Sequence, residues 1–92
     1  MEWRASHILV KDKNLADNIL VRIKKGEQFE SLAKENSACP SRSSGGDLGW
    51  FGPGQMVAAF EAAVKRLSPG SVGDVVQTQF GYHIIKCTGR RD

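Results

Sequence analysis

Gly45-Gly46-Asp47-Leu48-Gly49-Trp50-Phe51-Gly52-Pro53-Gly54-Gln55-Met56 holds five of the chain's ten glycines, interleaved with large apolar side chains. Glycine reaches backbone conformations closed to other residues, so such a run marks bends and close backbone approach. Leu48, Trp50, Phe51 and Met56 between the bends suit either the wall of a pocket or a loop tucked under a core. No Gly-Lys-Ser/Thr follows, and the G-x-G-x-x-G spacing of dinucleotide binders is absent. A ligand here is therefore expected to be small and apolar. Asp47 to Phe51 reads as a brief strand.

Downstream, Gln55 to Leu67 carries Met56, Ala59, Phe60, Ala63, Val64 and Leu67 at helical spacing. On periodicity alone Met56 and Phe60 belong to a core. Ser68-Pro69-Gly70 is a turn. A strand over Gly73 to Thr78, a turn at Gln79-Phe80-Gly81 and a final strand from Tyr82 to Cys87 complete the chain. Upstream, Trp3 to Val10 is apolar on both faces, as in a central strand, with Ile8 and Val10 opposite to His7 and Leu9. Asn14 is the expected cap of a helix built on Leu15, Ile19, Leu20 and Ile23 and ended by Lys24-Lys25-Gly26. A shorter helix from about Glu27 to Asn36 buries Phe29, Leu32 and Ala33. Ser37 to Ser44 is polar and broken by Pro40, an exposed loop.

With 92 residues, 40% hydrophobic and 25% charged, the chain is expected to form one soluble domain, residues 1–92. Its net charge, 13 − 10 = +3, is scattered, without the basic stripe of a nucleic-acid binder. No run approaches the ~18 apolar residues of a membrane span. Cys39 and Cys87 make no disulfide framework, and Met1-Glu2-Trp3-Arg4 lacks the apolar core of a secretory signal. A cytoplasmic setting with free thiols is the expectation.

Two strands each carry one histidine among apolar residues, His7 and His83, so a cross-strand imidazole pair is expected. Three chemistries could use these residues with Cys39. Metal binding wants three or four closely spaced ligands, which are absent, so no metal is expected. A Cys nucleophile with a His base is a second scheme, but no nucleophile motif surrounds Cys39. The third is a polar pair beneath an apolar pocket, with no covalent step.

His7-Ile8-Leu9-Val10-Lys11, Gly45-Gly46-Asp47-Leu48-Gly49-Trp50-Phe51, Gly54-Gln55-Met56-Val57 and Phe80-Gly81-Tyr82-His83-Ile84-Ile85 together resemble the parvulin family of peptidyl-prolyl cis–trans isomerases. They stand in the family's order and spacing and cover essentially the whole chain. The resemblance implies an α+β fold of the FKBP-like kind, a four-stranded, mostly antiparallel sheet wrapped by helices in β-α-α-β-α-β-β order. A short extra helix between Cys39 and Gly45 is usual in the family.

By the same resemblance, His7, His83 and Cys39 match the catalytic centre. Leu48, Met56 and Phe60 match the proline pocket, while Phe51, Gln55, Thr78 and Phe80 match positions lining or rimming the site. Truncating Met56 or Phe60 is then expected to weaken proline binding in a protein that still folds. The implied function is cofactor-free isomerisation of X–Pro bonds in peptides and unfolded proteins, by a monomer that binds neither nucleic acid nor membrane. Phospho-specific members carry a basic cluster after the first strand. Here that loop is Lys11-Asp12-Lys13-Asn14 and the rim residue is Phe80, so unphosphorylated substrates with an apolar residue before proline are expected. The rival function is a non-catalytic peptide-binding chaperone module on the same fold.

Overall fold

The computed structural model describes all 92 residues. Its elements run β1 (Glu2–Val10), α1 (Lys13–Lys24), α2 (Phe29–Asn36), a 3-10 turn (Pro40–Ser44), β2 (Asp47–Phe51), α3 (Ala58–Lys65), β3 (Val76–Thr78) and β4 (Gly81–Arg91). The strands form one sheet in the order β2-β1-β4-β3. Every pairing in it is antiparallel, where the family likeness implied only that most would be.

Alternation along β1 and β4 divides the core into two layers. Ile8, Val10 and Ile84 face one way and pack with Ala16 and Ile19 of α1 and Phe29, Leu32 and Ala33 of α2. Trp3, Ala5, Ile85 and Cys87 face the other way and pack with Phe51 and with Phe60 and Val64 of α3. His7 and His83 belong to this second face, so the sheet's alternation places both rings under α3.

The ends of elements differ from the sequence expectation for local reasons. Helix α1 is capped by Asp12, whose Oδ1 accepts the Asn14 N–H at 2.9 Å, and Asn14 lies inside the helix. Its buried stripe is accordingly turned onto Ala16 and Ile19, leaving Leu15 exposed. Helix α3 starts three residues after Gln55, because residues 52–57 form a turn, and Ala59 is exposed. The polar end of β4 extends to Arg91 by pairing with Glu2, Trp3 and Arg4 of β1, and Arg91 Nε reaches Glu2 Oε1 at 2.8 Å. Strand β3 shortens to three residues, preceded by a lone bridge between Val72 and Lys86.

The glycine run begins with a close approach to β1. His7 N–H donates to the Gly46 carbonyl at 2.9 Å, and a Cβ on Gly46 would fall 2.5 Å from the His7 carbonyl oxygen. Gly46 also has φ +91°, which side chains rarely tolerate. Only glycine lets the chain enter β2 so near to the histidine strand.

Candidate functional site

Strand register sets the histidine geometry. His7 pairs with Ile85 and His83 with Leu9, so the two imidazoles are diagonal neighbours on one face. Their Nδ1 atoms lie 3.0 Å apart, and the rings are 5.1 Å between centroids and 24° from parallel. The pair continues into β3, where Thr78 Oγ1 is 2.7 Å from His83 Nε2. The same oxygen accepts the Phe80 N–H at 3.1 Å. At the other end, His7 Nε2 is buried without a partner.

One hydrogen serves the Nδ1–Nδ1 contact, so the tautomers are linked. If the Thr78 hydroxyl donates to His83 Nε2, His83 donates from Nδ1 and His7 carries its proton on the orphan Nε2. The reverse chain leaves the Thr78 hydroxyl hydrogen unused. Both are neutral arrangements. Burial, then the neighbouring His83, pushes His7 down to a pKa of about 4. Burial, then the Lys11 charge, lowers His83 as well. At neutral pH the pair is uncharged, a hydrogen-bonded floor rather than a cation.

Phe60 of α3 stands edge-on to both imidazoles, at 5.6 Å and 80° from His7 and 5.7 Å and 78° from His83. Phe51 supports it from behind at 6.1 Å in a T-shaped contact. Around Phe60 opens a cleft of about 310 Å³, lined by Leu48, Gln55, Met56, Val57 and Phe80 together with the two histidines. The turn beside it is held from within. Gln55 Oε1 accepts the Gly52 N–H at 2.6 Å, and Glu61 of α3 accepts the Gly54 N–H at 2.8 Å. The Gly54 contact, then Lys65, holds the Glu61 carboxyl below its usual range. With its oxygen engaged, the Gln55 amide keeps its N–H groups as donors for a ligand.

Of the ten residues singled out from the sequence, His7, Leu48, Gln55, Met56, Phe60, Phe80 and His83 meet at this cleft. Phe51 lies buried behind the wall, and Thr78 touches His83 without lining the space. Cys39 is half-buried, its thiol makes no hydrogen bond, and it is not among the lining residues. Phe60 is only 2% exposed, so it is a core residue as well as a wall. That corrects the expectation that Phe60 could be truncated without harm to folding.

Two contributors escaped the sequence reading. Val57 lines the cleft because it is the extended residue ahead of α3, φ −58° and ψ 145°, rather than a turn of helix. Ser37, 1% exposed, accepts the Leu9 N–H at 3.1 Å and the Cys39 N–H at 3.3 Å, tying the Cys39 loop to β1. A serine in a polar loop carries no sequence signal of this duty. No three His, Cys, Asp or Glu side chains converge as metal ligands would, and no helix is long and apolar enough to cross a membrane.

A family model described as the PPIC-type PPIASE domain matches residues 2–91. The chain is 57% identical over 88 residues to the foldase protein PrsA of Geobacillus kaustophilus, covering 95% of this chain and 31% of that protein. It is 56% identical over 89 residues to PrsA of Bacillus subtilis, covering 96% and 30%. The chain thus spans about a third of the length of the curated relatives it matches. The crystal structure of PrsA from Bacillus anthracis superposes with a TM-score of 0.97 at 48% identity, over 99% of this chain and 42% of that one. NmPin, the parvulin of Nitrosopumilus maritimus, is similar over 96% of both chains, at 43% identity and a TM-score of 0.84.

Proposed function

Because the chain belongs to the PPIC-type, or parvulin, family of peptidyl-prolyl cis–trans isomerases, we propose that it turns X–Pro bonds of unphosphorylated peptides and unfolded proteins in the cleft over His7 and His83. The observation that carries this reading is a buried, hydrogen-bonded histidine pair at the floor of a mostly apolar cleft of about 310 Å³, room enough for a proline ring. Rotation about the bond faces a barrier of ~18–20 kcal/mol because amide resonance must be broken. Uncatalysed, it takes roughly 10–100 s at 25 °C. The planar ground state has the more charge-separated carbonyl, and the twisted transition state has less. An apolar cleft disfavours the first relative to the second, which is differential binding of the transition state.

Leu48, Met56 and Phe60 hold the ring, and Gln55 offers its amide hydrogens to a substrate carbonyl. The neutral His7–His83–Thr78 chain keeps the floor rigid without placing a charge under the ring. Cys39 is assigned no step, since its thiol is unbonded and stands outside the cleft's lining.

The loop after β1 supports the unphosphorylated preference. Lys13 is paired with Asp17 at 2.9 Å, Asp12 caps α1, and the Lys11 ammonium is bonded to the Phe80 carbonyl. No cluster of free cations awaits a phosphate. An NMR exchange or protease-coupled assay across a peptide series tests both parts. Leu-Pro and Phe-Pro peptides are expected to turn over faster than Glu-Pro or phosphoserine-Pro ones. No acceleration of any peptide by micromolar protein would sink the enzymatic reading in favour of a binding module. A preference for the phosphorylated peptide would overturn the specificity.

A further inference from the structure

Lys11 leaves the end of β1 and crosses to the turn between β3 and β4, where its Nζ donates to the Phe80 carbonyl oxygen at 2.5 Å. The ends of that turn are held by the Thr78–Gly81 pairing and by Thr78 on His83, but Phe80 at its tip is not. The Phe80 N–H bond to Thr78 Oγ1 is local, and Phe80 is 48% exposed, so burial does not fix it over the cleft. The turn is nevertheless pressed on β1. A Cβ at Gly81, whose φ is +139°, would lie 2.7 Å from the Val10 carbonyl oxygen and 3.5 Å from Lys11 Cδ. Backbone contact on one side and an ammonium strap on the other both come from the last residues around the end of β1.

We propose that Lys11 is a positioning residue whose ammonium straps the Thr78–Gly81 turn to β1, setting Phe80 at the mouth of the cleft and thereby the preference for an apolar residue before proline. The specificity clause rests on the isomerase reading given above; the strap itself does not. The same turn presents Thr78 to His83 Nε2, so the strap also steadies one end of the histidine chain. Lys11 stands close enough to lower the proton affinity of His83, which agrees with that placement.

Lys11→Met keeps the aliphatic stem and removes donor and charge, while Lys11→Arg restores both. In the ligand-free protein, Lys11→Met should shift the Phe80 and Gly81 amide resonances and speed amide exchange at Phe80, with the arginine variant returning toward wild type. In turnover, kcat/KM for Phe-Pro and Leu-Pro peptides should fall on the order of tenfold, mainly through KM, while Ala-Pro changes less than about twofold. Unmoved resonances across residues 78–81 in Lys11→Met would overturn the strap whether or not the protein isomerises anything. Equal losses on all peptides would overturn the link to specificity. Inactivity of the wild type on every peptide would instead defeat the isomerase reading, and the spectra alone would then judge the strap.

Discussion

At the scale of single residues, the histidine pair makes the sharpest claim about solution behaviour. Its folded pKa values are depressed, His7 to about 4 by burial and then by the neighbouring His83, and His83 by burial and then by the Lys11 charge. The unfolded chain, with His near 6.5, therefore takes up protons first as pH falls. Stability from this source is whole above about pH 6.5 and is lost as pH drops through the window down to about 4. For His7 the loss is about 3 kcal/mol. Imidazole NMR titration beside denaturation at stepped pH checks it, and two near-normal pKa values would refute the pairing. That both strands carry one histidine among apolar neighbours was plain in the sequence, and so was the pair. The diagonal offset, the orphan His7 Nε2 and the displaced Cys39 were not, because they depend on register and on a loop anchored by Ser37.

At the scale of elements, the residues alone indicated the three α-helices and four strands, the 3-10 turn over Pro40–Ser44 came only from the family likeness, and ends were settled by side chains that satisfy backbone N–H groups. Asp12 and Asn14 are both good cap residues, and only the φ/ψ of −110° and 123° at Asp12 decides between them. Asp12→Ala should cost about 1 kcal/mol in urea denaturation, and Asn14→Ala much less. An equal effect of the two would return the cap to Asn14. The start of α3 follows the same rule. Gln55 and Glu61 hold the N–H groups of Gly52 and Gly54, keeping residues 52–57 as a turn and delivering Met56 and Val57 to the cleft. A hydrophobic stripe running unbroken from Met56 to Leu67 hides such a turn, since the stripe records burial and not hydrogen bonding.

For the molecule as a whole, the sheet separates a layer that only holds the fold from one that also forms the cleft. Leu32 belongs to the first, with α1 and α2, while Phe60 belongs to the second and Met56 lies at its half-buried edge. A domain of this size has a margin toward the lower end of about 5–15 kcal/mol, so these positions should respond differently. Leu32→Ala should remove about 2–5 kcal/mol while the remaining folded protein keeps its kcat/KM for a Leu-Pro peptide. Met56→Ala should do the reverse, losing turnover with a smaller loss of stability, because its side chain meets the cleft rather than a closed interior. Phe60→Ala removes about 3–5 kcal/mol of packing and threatens the fold itself, so Phe60→Leu is the informative variant there. It retains most of the volume but not the edge-on contacts to His7, His83 and Phe51. Its expected signature is a folded protein with reduced turnover and altered imidazole shifts. Denaturation curves and peptide kinetics on the three folded variants separate the layers. If Leu32→Ala and Met56→Ala lowered stability and turnover in the same ratio, the cleft would have no wall distinct from the core, and Met56 would be packing alone.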